Sequence, residues 1–268
     1  MTARDRYSHG HHESVLRSHR WRTAENSAGF LLPHLVAGQN LLDVGGGPGT
    51  ITVDLARRVA PGRAHGIDLA PDVIAIARRE AEAAPDLDVT FAVGDVYSVG
   101  AGEASYDVVF AHQILQHLTD PVAALRELHR VLRPGGILAV RDSDYGAFAW
   151  APADARLERW MALYHALTAR NGADADAGRH LAAWVRAAGI DDATVSSSTW
   201  TFHTAEERAW WGNLWADRVR ESAFATQTLE YGLSTRLELD AIAEAFLAWA
   251  DDEDGVFIVV HGEVLARV

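Results

Sequence analysis

The stretch Leu41-Leu42-Asp43-Val44-Gly45-Gly46-Gly47-Pro48-Gly49-Thr50 constrains the fold of this chain more than any other. An apolar run ends in a cluster of glycines, and Ile51, Val53, Leu55 and Val59 then recur at helical spacing. The order is strand, tight bend, helix. Glycines at such a bend let backbone approach a ligand without side-chain obstruction, and the helix N-terminus behind them presents unpaired N–H groups.

The same unit recurs downstream. Residues 63–67 read as a second strand, and Pro71, suited to a first helical turn, opens a helix through Ala83. Residues 88–93 alternate as a strand does, 106–111 and 136–140 are apolar runs, and 121–132 between the last two has helical spacing. Leu132-Arg133-Pro134-Gly135-Gly136 has the composition of a turn that ends that helix. Strands alternating with helices predict an α/β, Rossmann-like, doubly wound, seven-stranded and mostly parallel sheet covered on both faces. The remaining strands are expected at 193–202 and 256–265, with helices at 13–35, 154–169, 177–188, 205–228 and 235–250.

In 268 residues this describes one domain: an N-terminal helical lid (1–37), a ligand-binding core (38–142), a helical substrate cap with one sheet strand (143–235), and a closing helix and strand (236–268).

Asp68 ends the second strand 23 residues after Gly45. In a doubly wound sheet both lie at the carboxyl edge, where ligands bind, and a carboxylate there accepts hydrogen bonds from both ribose hydroxyls of a nucleoside. The dinucleotide fingerprint Gly-x-Gly-x-x-Gly is nearly met, but Thr50 stands where its third glycine belongs, which disfavours a nicotinamide-dependent oxidoreductase.

Composition removes other classes. Acidic residues outnumber basic ones 37 to 24, so the surface field repels a phosphate backbone, and nucleic acid is not an expected partner. Cysteine is absent, excluding disulfides, thiolate nucleophiles and cysteine-ligated zinc. No apolar stretch is long enough to span a bilayer, so the expectation is a cytoplasmic protein with no membrane partner. The tract Tyr7-Ser8-His9-Gly10-His11-His12 is rich in imidazole, yet no carboxylate set with metal-site spacing accompanies it, and no metal is expected.

At this point the chain resembles the class I S-adenosylmethionine-dependent methyltransferases of the small-molecule, UbiE-like type. Asp43 to Gly49 resembles their first motif, Asp68-Leu69 the ribose-binding acidic position, and Gly94-Asp95-Val96 the segment that meets adenine. The stretch 110–117 resembles the motif after the fourth strand, and 132–136 the Leu-x-Pro-Gly-Gly turn, all in order between about 38 and 142. The resemblance implies S-adenosyl-L-methionine as cofactor. It implies that Gly45, Gly47 and Gly49 admit the methionine end, that Asp68 holds the ribose, that Asp95 bonds the adenine amino group and that Val96 supplies a backbone donor. It also implies a lid in which Tyr7, His12, Arg17, Trp21 and Arg22 face the site, with Arg22 pairing the cofactor carboxylate. An Asn-Pro-Pro-Tyr-type motif is missing after the fourth strand, where Ala111-His112-Gln113-Ile114 stands, which lowers nucleobases further.

In-line displacement at a sulfonium methyl needs neither metal nor covalent enzyme intermediate; positioning supplies most of the rate. A base matters only where the acceptor must lose a proton. His112, Gln113 and His117 follow the fourth strand beside the place of the methyl, with His117 the candidate general base and His112 and Tyr145 further catalytic candidates. Trp200, Trp210, Trp211 and Trp215, with Phe202 and Phe224, concentrate aromatic surface in the cap. They read as core, as the inward wall of a pocket for an aromatic or apolar small molecule to which His12, Trp21, Tyr145, Trp200, Trp211 and Trp215 contribute, or as a homodimer contact. A non-catalytic cofactor-binding regulator is the alternative from a different class.

Overall fold

The structure, a computed structural model, describes residues 5–8 and 13–268. The first strand β1 (Asn40–Val44) lies at the centre, parallel to β2 (Arg63–Asp68) on one side and β4 (Tyr106–His112) on the other. Outward from β2 comes β3 (Asp88–Val93), and outward from β4 comes β5 (Leu132–Ser143), both parallel to their neighbours. The final strand β8 (Val256–Arg267) runs antiparallel to β5, and β7 (Ala193–Phe202) pairs antiparallel with β8 at the far edge. These are the seven expected strands. An eighth, β6 (Ala149–Ala151), is added: after a tight turn at Tyr145–Ala147 it rejoins the β8 edge that β5 has just left.

Strand order reverses between β1 and β4. Chain leaving β1 turns towards β2, and chain leaving β4 turns towards β5, so a crevice opens above their carboxyl ends. Helices α2 (Ala24–Ser27), α3 (Thr50–Val59) and α4 (Pro71–Glu82) cover one face of the sheet, and α5 (Pro121–Val131) and α7 (Ala177–Ala187) the other. Local chemistry sets their starts. Pro71 and Pro121 occupy first turns that need no N–H, and the Asp120 carboxylate accepts from the Ala123 N–H at 2.9 Å.

Expected turn 132–136 is folded into β5 as a bulge, since Leu132 pairs with Tyr106 and Ile137 with Val108, five residues against two. The Trp-rich helical stretch breaks at Ser222 into α8 (Ala205–Glu221) and α9 (Ala223–Glu230). Extended there, Ser222 donates its hydroxyl to the Arg218 carbonyl and accepts from the Phe224 N–H, ending one helix and starting the next. With α6 (Ala155–Arg170) and α10 (Arg236–Asp251) these helices enclose a second core of Trp160, Trp215, Phe224, Phe246 and Phe257. Sequence pattern places α10 beside the closing strand in the chain, and in space it packs on α8 and α6. The stretch 13–35, expected to form one or two helices, forms α1 (Glu13–Arg20), α2 and a single 3₁₀ turn at Leu32–His34. Among the described residues no helix is long and apolar enough to cross a membrane.

Candidate active site

The crevice above β1 and β4 is a cavity of about 460 Å³, bordered also by the N-terminal segment and by residues of β7 and α8. Its floor is the glycine bend. Gly45 and Gly46 donate their N–H groups to the Ile67 carbonyl at 2.7 and 3.1 Å, tying the bend to the end of β2. Gly45 and Gly47 both have positive φ, +70° and +55°. A side chain on Gly45 would collide with Ile114, so the loop after β4 closes on bare backbone there. A side chain on Gly47 would meet nothing nearer than the His19 ring at 3.7 Å and would stand in the cavity. This is a cradle that a Cβ would fill, and it fits a ligand passing close to backbone.

Gly49 corrects the expectation that all three glycines face the ligand. It is not part of the cavity wall, and a Cβ there would press on Phe91 at 2.8 Å and Ala77 at 3.0 Å. Its work is to bring the start of α3 against β3 and α4. Asp43 does line the cavity, but its carboxylate is engaged beneath the bend. Its carboxylate accepts from the Thr52 hydroxyl at 2.6 Å beneath Gly46, and burial raises its pKa to about 7. It braces the bend from below.

Asp68, at the tip of β2, accepts from the Ala70 N–H at 3.0 Å with one oxygen and from the Gly47 N–H at 3.2 Å with the other. Asp95, just past β3, is exposed and accepts from the Tyr97 N–H at 2.9 Å, while Val96 beside it is buried. Leu69, Gly94, Asp95 and Val96 all line the same cavity as Asp68.

Above the bend lies the N-terminal segment, with Tyr7, Ser18, His19, Trp21 and Arg22 in the cavity wall. It is fastened to distant elements: Asp5 accepts from the backbone and hydroxyl of Thr119 at 2.8 and 2.7 Å, Arg6 reaches Glu230 and Tyr231 at 2.7 Å each, and Arg17 pairs with Asp217 at 2.7 Å. Arg17 points to α8 and not into the cavity, against expectation. Arg22 donates to the Gln113 amide oxygen at 2.6 Å and lies over the Trp200 ring, and burial lowers its pKa to about 10. His12 and the rest of the 9–12 tract lie outside the described residues.

Both candidate histidines are held neutral. Neither ring nitrogen of His112 has a hydrogen-bond partner among the described residues, and burial, then the Arg141 charge, lowers its pKa well below the usual histidine value. His117 stands edge-on to Tyr7 with centroids 4.6 Å apart, and burial lowers its pKa to about 3. Burial also pushes the Tyr7 phenol up to about 12. Tyr145 stacks on Tyr164 at 4.0 Å, its pKa also raised by burial.

The aromatic residues are core and cavity wall at once. Trp200, Trp211 and Trp215 are buried in the cap core yet present surface to the cavity, joined by Trp21, Trp210 and Phe148. Trp21 of the N-terminal segment meets Trp200 edge-on at 5.1 Å, so that segment and β7 touch through rings. Sequence reasoning missed Ser18, His19, Phe148 and Arg218. For Arg218 a signal exists: it follows Trp211 and Trp215 by seven and three residues, which places all three on one helix face.

The profile of the family described as methyltransferase domain matches residues 42–140. An uncharacterized methyltransferase of Schizosaccharomyces pombe is 29% identical over 97% of this chain and 96% of its own length. The probable methyltransferase ltbC of Aspergillus luteorubrus is 30% identical over 97% of this chain and 96% of its own. Among solved structures, the YcgJ protein of Bacillus subtilis is similar in fold, with a TM-score of 0.58 at 16% identity, covering 96% of this chain and 98% of that one.

Proposed function

The chain belongs to the class I S-adenosylmethionine-dependent methyltransferases, and from that premise we propose that it methylates a small aromatic or apolar metabolite enclosed between the lid and the aromatic cap. When bound, S-adenosyl-L-methionine supplies an electrophilic methyl group. The observation that carries the reading is that one cavity joins the open glycine cradle and the carboxylates of Asp68 and Asp95 to a wall of tryptophans. The nicotinamide-dependent and non-catalytic alternatives are not favoured by this membership.

In this assignment Gly45 and Gly47 admit the methionine end, Asp68 and Asp95 hold the ribose and the adenine, and Arg22 takes the carboxylate. Residues 1–37 act as the lid, 38–142 as the cofactor core, and 143–235 with α10 as the cap. His117 and His112 are weak bases where they stand, so their part is to hydrogen-bond the acceptor as neutral imidazoles while the walls align it. A surface with net charge −13 suits a small acceptor and opposes nucleic acid.

Calorimetry with S-adenosylmethionine tests the assignment. Asp68→Ala is expected to weaken binding roughly tenfold or more, the scale of one or two hydrogen bonds to a carboxylate. Equal affinity in wild type and variant contradicts it.

A further inference from the structure

We propose that the methyl acceptor is a flat aromatic molecule carrying an anionic oxygen, and that Arg218 is the residue that selects it, an inference resting on the methyltransferase reading above.

The argument begins with how charge is distributed around the cavity. Its carboxylates come from the cofactor side: Asp43, Asp68 and Asp95 gather about the glycine bend, and Asp5 is held by Thr119. From Ser143 onward the wall is Ser143, Tyr145, Phe148, four tryptophans, Arg218 and Val259. Arg218 is the single charged side chain in that part of the wall among the described residues.

Arg218 is 5% exposed, and its guanidinium lies 4.6 Å from the centre of the Trp215 ring and donates to the Ser18 hydroxyl at 2.9 Å. After burial, the strongest influences on its charge are the phenols of Tyr145, Tyr7 and Tyr164 and the like charge of Arg17. Arg218 lines the cavity with its guanidinium held against a ring face and a hydroxyl among its contacts, and a planar guanidinium matches an oxyanion, a pairing that is strong inside an apolar wall. The tryptophans around it supply flat faces for the rest of the acceptor.

The two histidines at the end of β4 lead to the same acceptor. Both are buried, neutral and feebly basic, so an acceptor that must lose a proton meets no strong base there. An ionised oxygen has no proton to lose. Its lone pair forms the bond to the methyl carbon as the carbon–sulfur bond breaks, the electron pair stays on sulfur, and the positive sulfur and negative oxygen both become neutral.

The test uses the full chain saturated with S-adenosylhomocysteine and, as probes, 2-naphthoate and its uncharged analogue 2-naphthamide, titrated by calorimetry. Wild type is expected to bind the acid at least tenfold more tightly than the amide. Arg218→Met is expected to bring the acid down to the level of the amide while affinity for S-adenosylhomocysteine stays within about twofold, which also reports that the variant is folded. Arg218→Lys, a point charge without the planar fork, is expected to fall between. Equal binding of acid and amide by wild type, or no binding of the acid at millimolar concentration, overturns the proposal without any variant. A preference for acid that survives in Arg218→Met, or equal loss of both probes, overturns it too. Failure of S-adenosylhomocysteine itself to bind wild type would strike the methyltransferase assignment instead.

Discussion

The amide oxygen of Gln113 lies 2.6 Å from a terminal nitrogen of Arg22, and this contact joins the N-terminal segment to the tip of β4. Gln113 makes it from a left-handed backbone, φ +55°, that residues other than glycine seldom adopt. Its amide nitrogen meets the Ser143 hydroxyl at 2.8 Å and His261 Nε2 at 2.9 Å, and its N–H donates to the Arg141 carbonyl at 2.7 Å. The side chain therefore aims Arg22 from a base anchored on three strands.

Gln113→Gly separates the two properties. Glycine suits the backbone, so unfolding stability should stay within about 1 kcal/mol of wild type despite the lost side chain. Arg22 loses its support, and affinity for S-adenosylmethionine is expected to fall roughly tenfold, the worth of a hydrogen bond to a charged group. Arg22→Ala should lose at least as much. Calorimetry beside urea unfolding checks both, and unchanged affinity in either variant would remove Arg22 from the cofactor site.

Much of the core was legible because its signals are local. Glycines in the bend, Pro71 and Pro121 at helix starts, and acids at strand tips act on neighbours a few residues away, and the alternation of strand and helix leaves few ways to wind a sheet. What escaped depends on distant chain. Gly49 and Gly47 look alike in sequence, and only the packing of α3 on Phe91 separates a glycine that serves the core from one that serves the ligand. Residues 149–151 pair with β8 because β5 has vacated that edge, which no local pattern records. Helix α10 is apolar enough to close either the sheet or the cap, and the choice is made by its fit to α8.

Stability should peak near pH 6.5. Burial lowers the pKa of His112, His117 and His261 from their ordinary 6.5 and raises Asp43 and Asp142 from 3.8 to about 7 and about 8. Below 6.5 the unfolded chain takes up protons that the folded histidines refuse, so stability falls as pH drops, by about 1.4 kcal/mol per unit for each histidine. The aspartates act oppositely. Their folded pKa is raised, so their contribution is present below about 3.8 and lost as pH rises toward 7 and 8, with the same slope for each. Just below pH 6.5 the three histidines outweigh the two aspartates, and above 6.5 the aspartates' decline is what remains. Urea unfolding at pH 5.5, 6.5 and 7.5 measures this. Asp142→Asn keeps an acceptor for the Gln116 N–H and should hold its stability better than wild type above pH 6.5, whereas parallel curves would deny Asp142 a raised pKa.

Behind Trp200 the sheet carries a buried ion pair, Arg141 Nε to Glu263 Oε1 at 3.2 Å, which forms part of the support for that cavity-lining ring. Glu263 also accepts from the hydroxyls of Ser196 and Ser198, and Arg141 lies 4.9 Å from the centre of the Trp200 ring. Taking one charge away strands the other in a low dielectric, which typically costs about 3–5 kcal/mol, whereas replacing both with apolar side chains of similar volume costs far less because neither charge must then be desolvated. Glu263→Leu and Arg141→Met are therefore each expected to lower unfolding stability by about 3 kcal/mol or more. The double variant Arg141→Met with Glu263→Leu should recover most of that loss, giving a large coupling in a double-mutant cycle. If instead the two single losses add, the pair is not acting as a unit, and Trp200 is held in the cavity wall by its hydrogen bond to the Asn26 carbonyl and its ring neighbours alone.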